Sequence, residues 1–144
     1  MTFDEELIAL VRALGAVQSI CTNKRLYHWE VLQSNPNSIN FPCVVYNMAS
    51  DSPVNELDGK SGMRKAEFEF DCYSKLTANI RELQGAIDTL NGNAYTVLEW
   101  VEVENTTDSF EPPIDLDEKG MKAAQVTVTV WYRDPTTTTT TAAP

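Results

Sequence analysis

The sequence predicts an α+β fold: an antiparallel sheet of four to five strands with two main helices on one face. Three observations carry this prediction. Lys65 to Tyr73 alternates apolar with charged residues, Ser74 to Gly92 carries an apolar stripe at helical spacing, and two β-rich runs close the chain. A chain of 144 residues suits one continuous core and is too short for two good ones.

Taken in order, the first element reads as a helix. Thr2 followed by Glu5 matches a capping box, and Asp4, Glu5 and Glu6 suit the positive end of a helix dipole. Leu7, Leu10, Val11 and Leu14 then share one face, with Gly15 as the expected C-cap. Arg25 to Val31 is a candidate strand, and Ser34 to Asn40 is polar and turn-rich. Pro42 leads into Cys43 to Met48, a β-branched and aromatic run, at a strand start where no ladder donor is required. Asp51 to Gly62, with its Pro, Asn, Asp, Ser and Gly residues, reads as a connecting loop.

The clearest strand follows. Ala66, Phe68, Phe70 and Cys72 alternate with Lys65, Glu67, Glu69 and Asp71, which predicts a sheet covered on one side and wet on the other. In the next helix Ser74 is the expected N-cap, and Leu76, Ile80, Leu83, Ile87 and Leu90 form the stripe. Asn91-Gly92 stops it. Tyr95 to Glu104 and Gln125 to Arg133 read as strands of a β-hairpin with a long acidic loop, Asn105 to Lys122, that contains Pro112-Pro113. Six threonines and Ala-Ala-Pro then predict a flexible tail over 136–144, after a single domain over 1–135. The expected core holds Leu7, Val11, Leu14, Val45, Phe68, Phe70, Leu83, Ile87 and Val128.

Composition narrows the function. Hydrophobic content of 42% and charged content of 22% suit a globular domain. No run approaches the roughly 18 apolar residues of a membrane span. The acidic start is the opposite of a basic secretory leader, so synthesis in the cytoplasm is expected. Cys21, Cys43 and Cys72 form no CxxC pair and read as small buried hydrophobes. A net charge of −10 argues against generic affinity for nucleic acid, which needs clustered Lys and Arg.

Motifs that could carry chemistry each fail on a named residue. His28, the sole histidine, has no carboxylate or cysteine at ligand spacing. Gly59-Lys60-Ser61 resembles the end of a P-loop, but Val54 stands where its first Gly belongs, and a strand follows instead of a helix. Asp115 to Gly120 resembles the start of a calcium loop, yet Lys119 replaces an oxygen ligand and no glutamate closes it. Asn105-Thr106-Thr107 fits the glycosylation pattern without a secretory context. Glu67, Glu69 and Asp71 lack a partner histidine and read as a polar solvent face or a subunit contact. The expectation is a non-catalytic chain without cofactor or metal that works by assembling with other proteins.

The order and spacing of several modest motifs resemble a known family. Arg25-Leu26-Tyr27 precedes the Pro42-Cys43-Val44-Val45-Tyr46 run. The Ala66–Tyr73 strand, a helix ending in Asn91-Gly92, and the closing Val128-Thr129-Val130-Trp131-Tyr132-Arg133 come next. Over about residues 3 to 133 the chain resembles the tail-completion, or tail-terminator, proteins that join head to tail in long-tailed bacteriophages. The long acidic loop and the threonine tail depart from that pattern.

The resemblance implies a ring homo-oligomer, commonly a hexamer, in the virion neck at the head-proximal end of the tail. Such a ring stops growth of the tail-tube protein and docks to the head connector, with a sheath protein as a further partner. A closed ring needs a heterologous interface. The charged strand face (Lys65, Glu67, Glu69, Asp71) and the long loop (Asp108, Glu111, Asp115, Asp117, Glu118) are its expected suppliers. DNA would pass the lumen without specific binding, and an acidic wall repels phosphate. The alternative is a small α+β protein- or ligand-binding module with an apolar groove between helices and sheet.

Overall fold

The computed structural model describes residues 2–22, 25–30, 40–56, 59–105 and 122–133. In chain order these form α1 (Phe3–Arg12), α2 (Gly15–Ile20), β1 (Leu26–His28), β2 (Cys43–Glu56), β3 (Gly59–Ser74), α3 (Thr77–Asp88), β4 (Leu98–Asn105) and β5 (Lys122–Arg133). The strands make one five-stranded sheet in the order β1-β2-β3-β5-β4.

The fold is α+β, with two corrections to the expected form. The sheet is mixed: β2, β3, β5 and β4 pair antiparallel, but β1 joins β2 in parallel, from Leu26 beside Val44 to His28 beside Tyr46. A parallel neighbour needs a crossover of a dozen or more residues, and 29–42 supplies that length. Residue alternation reports which face a side chain takes, not which way the strand runs. There are also three helices among the described residues. Leu14 is extended at φ −63°, ψ 136°, which ends the first helical run, so Gly15 opens α2 instead of capping α1. The Thr2 hydroxyl accepts from the Glu5 amide at 3.4 Å, as the capping box predicts.

The helices and one sheet face share a single core. Leu7 and Val11 of α1, Val17 of α2, and Leu83 and Ile87 of α3 pack in one cluster with Phe68, Phe70, Val126 and Val128. Leu14 is only partly buried against it. Val45 is buried on the opposite sheet face, with Cys43, Tyr73 and Ala123. The Arg25 guanidinium donates to the Phe41 carbonyl at 3.0 Å and ties the segment before β1 to the entry of β2.

The largest departure is at residues 51–62, expected to be a loop. Asp51–Glu56 continues β2, Gly59–Gly62 begins β3, and the ladder runs out to Glu56 beside Gly59. β1 pairs only Val44 to Tyr46, so Pro53 sits on a stretch of β2 with no outer neighbour among the described strands, the edge setting in which proline is tolerated. The ribbon is anchored at its root. Asp51 accepts from Arg64 Nε at 3.2 Å and from the Tyr132 hydroxyl at 2.8 Å, and Phe3 stacks on Tyr132 with ring centroids 3.8 Å apart.

Ser74 ends β3 and is not the N-cap of α3. Its hydroxyl accepts from the Leu76 amide and from the Asn79 side chain, each at 3.1 Å, so the helix begins at Thr77. Gly92, at φ +76°, supports the stop after the helix. Gly85 lies on the exposed side of α3, and a Cβ added there meets nothing within 4 Å. Gly85→Ala should therefore stabilise the protein by roughly 0.5–1 kcal/mol, read as a raised urea midpoint with an unchanged slope. β4 starts at Leu98, later than expected. The central part of the acidic loop and the threonine tail lie outside the described residues.

Candidate functional site

The helices cover one face of the sheet and leave the other to be read row by row from the strand register. Lys65 lies beside Trp131, which lies beside Trp100. Glu67 lies beside Thr129, which lies beside Glu102, and Glu69 lies beside Thr127, which lies beside Glu104. Directly opposed residues of an antiparallel pair share a face, so these rows form one surface. On β3, β4 and β5 it carries Glu67, Glu69, Asp71, Glu102 and Glu104 against Lys65, whose Nζ sits 5.6 Å from the Trp131 ring centre, and Arg133, whose Nε lies 3.9 Å from a Glu99 carboxylate oxygen. Trp100 is 44% exposed, unusual for so large an apolar group.

The face is not wet along its whole length, which corrects the expectation for Asp71. Cys43, Val45, Tyr73 and Ala123 are buried at its far end against Tyr27, Trp29 and Phe41. The Tyr73 hydroxyl is buried there without a hydrogen-bond partner among the described residues. Asp71 stands where this apolar end meets the acidic rows and is only 9% exposed. Gln125 Nε2 donates both to Asp71 Oδ1, at 3.2 Å, and to Glu69 Oε2, at 3.0 Å. Burial pushes the Asp71 carboxyl up to about 6, the Glu69 charge adds to the rise, and the Gln125 hydrogen bond opposes it.

A folded value above the ordinary 3.8 means that the folded chain holds this proton more tightly than the unfolded chain. The associated stability is fully present below about pH 4 and is lost as the pH rises through about 6. Asp71→Asn keeps the acceptor for Gln125 and removes the charge. It should stabilise the protein at pH 7 by about 1–2 kcal/mol, with the burial term discounted for partial solvent access. Unfolding curves between pH 4 and 7 check this: the gain should shrink toward the acid end.

Of the expected interface residues, Lys65, Glu67 and Glu69 share the open surface, and Asp71 lies at its closed border. Asp108, Glu111, Asp115, Asp117 and Glu118 fall outside the described residues, as does the calcium-like segment. Sequence reading missed that Trp100, Glu102 and Glu104 share the charged face of β3 across β5. Their alternation with Val101 and Val103 was visible, but the irregular register between Leu98 and Trp100 shifts the phase of the strand.

A second feature lies between α1 and the sheet. A groove of about 450 Å³ is lined by Asp4, Glu5 and Arg12 of α1 and by His28, Tyr46, Met48 and Phe68. His28 packs edge-on to Tyr46 at 5.1 Å, and its Nδ1 accepts from the Glu30 amide at 3.1 Å. Among the described residues no group of three His, Cys, Asp or Glu could hold a metal ion. Gly59, Lys60 and Ser61 lie within β3, not at the start of a helix. The three cysteines are free and buried, and burial pushes their thiols up, Cys21 to about 11.

No protein-family model matches this sequence, and no curated protein matches it either. Among the described residues no helix is long and apolar enough to cross a membrane.

Proposed function

We propose that this chain is a structural virion protein of a long-tailed bacteriophage. It forms a ring, hexameric by analogy with the family it resembles, at the head-proximal end of the tail. There the ring terminates growth of the tail-tube protein and joins the tail to the head connector, with a sheath protein as a further neighbour if the tail contracts. In this reading the antiparallel strands β2, β3, β5 and β4, with α1 and α3 over one face, are the family-like core of a 1–135 domain.

The observation that supports the reading is the open surface of β3, β5 and β4. It pairs an exposed tryptophan with a row of carboxylates, and no described element of the chain covers it. Aromatic anchors ringed by polar groups are what association surfaces use, whereas a solvent face has no need of Trp100. The net charge of −10 suits a lumen that DNA crosses without sticking. The chain is not an enzyme in this reading, and it binds no cofactor and no membrane.

Gold-labelled antibody against the chain, applied to virions under the electron microscope, tests the assignment. Label should collect at the neck; label scattered over the capsid, or absent from virions, would contradict it. A second reading, a protein- or ligand-binding module, is favoured by the His28–Tyr46 groove. It predicts that Tyr46→Ala abolishes binding of whatever the chain recruits and leaves virion assembly intact.

A further inference from the structure

A heterologous ring needs two different surfaces that fit each other, and the open face can be only one of them. The mate must offer positive charge and an apolar knob. The chain has 11 Lys and Arg residues in all, and three of them meet at one end of the domain. Lys122 pairs across the sheet with Ser74, next to Lys75, and its Nζ donates to the Thr77 hydroxyl at 2.9 Å. Arg81 follows Thr77 by one helical turn, on the same side of α3. Lys75, Arg81 and Lys122 are all exposed, and no acidic residue occurs between Ser74 and Arg81. Within this patch Leu76 is 62% exposed, more than any other exposed large hydrophobic residue described.

We infer that the basic end of one subunit, Lys75, Leu76, Arg81 and Lys122, docks on the open acidic face of a second copy, around Trp100, Glu102, Glu104 and Glu67. The inference rests on the ring reading above and names its interface. Charge and apolar complementarity carry it: three cations and a leucine meet three carboxylates and a tryptophan. Distance makes the contact intermolecular. Glu67 and Lys75 lie on one extended stretch of chain, about 25 Å apart at ~3.3 Å per residue, so one molecule cannot bring its own two patches together. Two unlike patches on one subunit generate a ring when the rotation closes. A chain with net charge −10 repels its copies in general, and this local pairing is where that repulsion reverses sign.

Two variants of the full chain separate the surfaces. Arg81→Glu with Lys122→Glu disables the basic end, and Glu102→Lys with Glu104→Lys disables the face. By native mass spectrometry and sedimentation, the unaltered chain should form rings and each variant alone should be monomeric. Their equimolar mixture should regain assembly, with the two variants alternating, because the intact surfaces match and the two reversed surfaces are again of opposite charge. Rings from either variant, or a mixture that stays monomeric, would overturn the interface while leaving the ring reading intact. An unaltered chain that never assembles overturns both. Circular dichroism checks that each variant folds. If a reversal prevents folding, the neutral set (Arg81→Gln with Lys122→Gln, Glu102→Gln with Glu104→Gln) should leave each variant alone monomeric and stop their mixture at a one-to-one dimer, because only one matched pair of surfaces survives.

Discussion

Phe70→Ala should lower the stability of the free subunit by about 3–5 kcal/mol, the largest single loss expected from the core. Phe70 is fully buried at the centre of β3, flanked by Tyr46 on β2 and Val126 on β5. Its ring lies 6.2 Å from that of Tyr46 and 6.4 Å from that of Phe68. Three strands and the helices above them converge there, so the space left by the ring cannot be filled by one neighbour moving. At about 2–4 °C per kcal/mol for a chain of this size, the melting temperature should fall by roughly 10 °C. A shift of only a degree or two would mean that the faces of β3 are assigned the wrong way round.

Glu6→Ala should cost about 2–4 kcal/mol, for an unrelated reason. Glu6 lies on α1 and is buried, yet its carboxylate is fully used. Oε1 accepts from the Val97 amide at 3.0 Å and from the Leu98 amide at 3.2 Å, while Oε2 accepts from Val97 at 3.1 Å. It joins the first helix to the entry of β4, across most of the chain. Charge-assisted bonds to backbone amides are among the stronger ones, and alanine would leave two donors without an acceptor in a poorly hydrated place. Glu6→Gln keeps one carbonyl oxygen and should lose about half as much. Urea unfolding of both variants decides it: equal losses would mean that packing, and not the carboxylate, holds the two elements together.

Glu6 also shows where sequence reading stopped. Beside Asp4 and Glu5 it looked like one more acidic residue in a first helical turn, and a contact with residue 97 leaves no local trace. What could be read was local and periodic: the Thr2 cap, the alternation in β3 and β5, and the Leu83–Ile87 stripe all stand where the sequence places them. What could not be read depends on pairing between distant segments. The parallel docking of β1 and the extension of β2 and β3 through a Pro- and Gly-containing stretch are of this kind. So is the phase of β4, which decides that Trp100, Glu102 and Glu104 join the β3 carboxylates. The candidate face was thus half legible: β3 announced its charged side, and the register of two more strands was needed to complete it. Asp71 failed for the same reason, since the apolar residues that bury its end of the face come from β1, β2, β3 and β5 and from the chain between β1 and β2.

The proposed ring requires the chain to close on copies of itself. Electron microscopy of the purified, unaltered protein at high concentration tests it most directly. Closed rings of uniform diameter with a central opening and a constant number of subunits are the expected result. Single compact particles of one chain each, unchanged as the concentration rises, would contradict it.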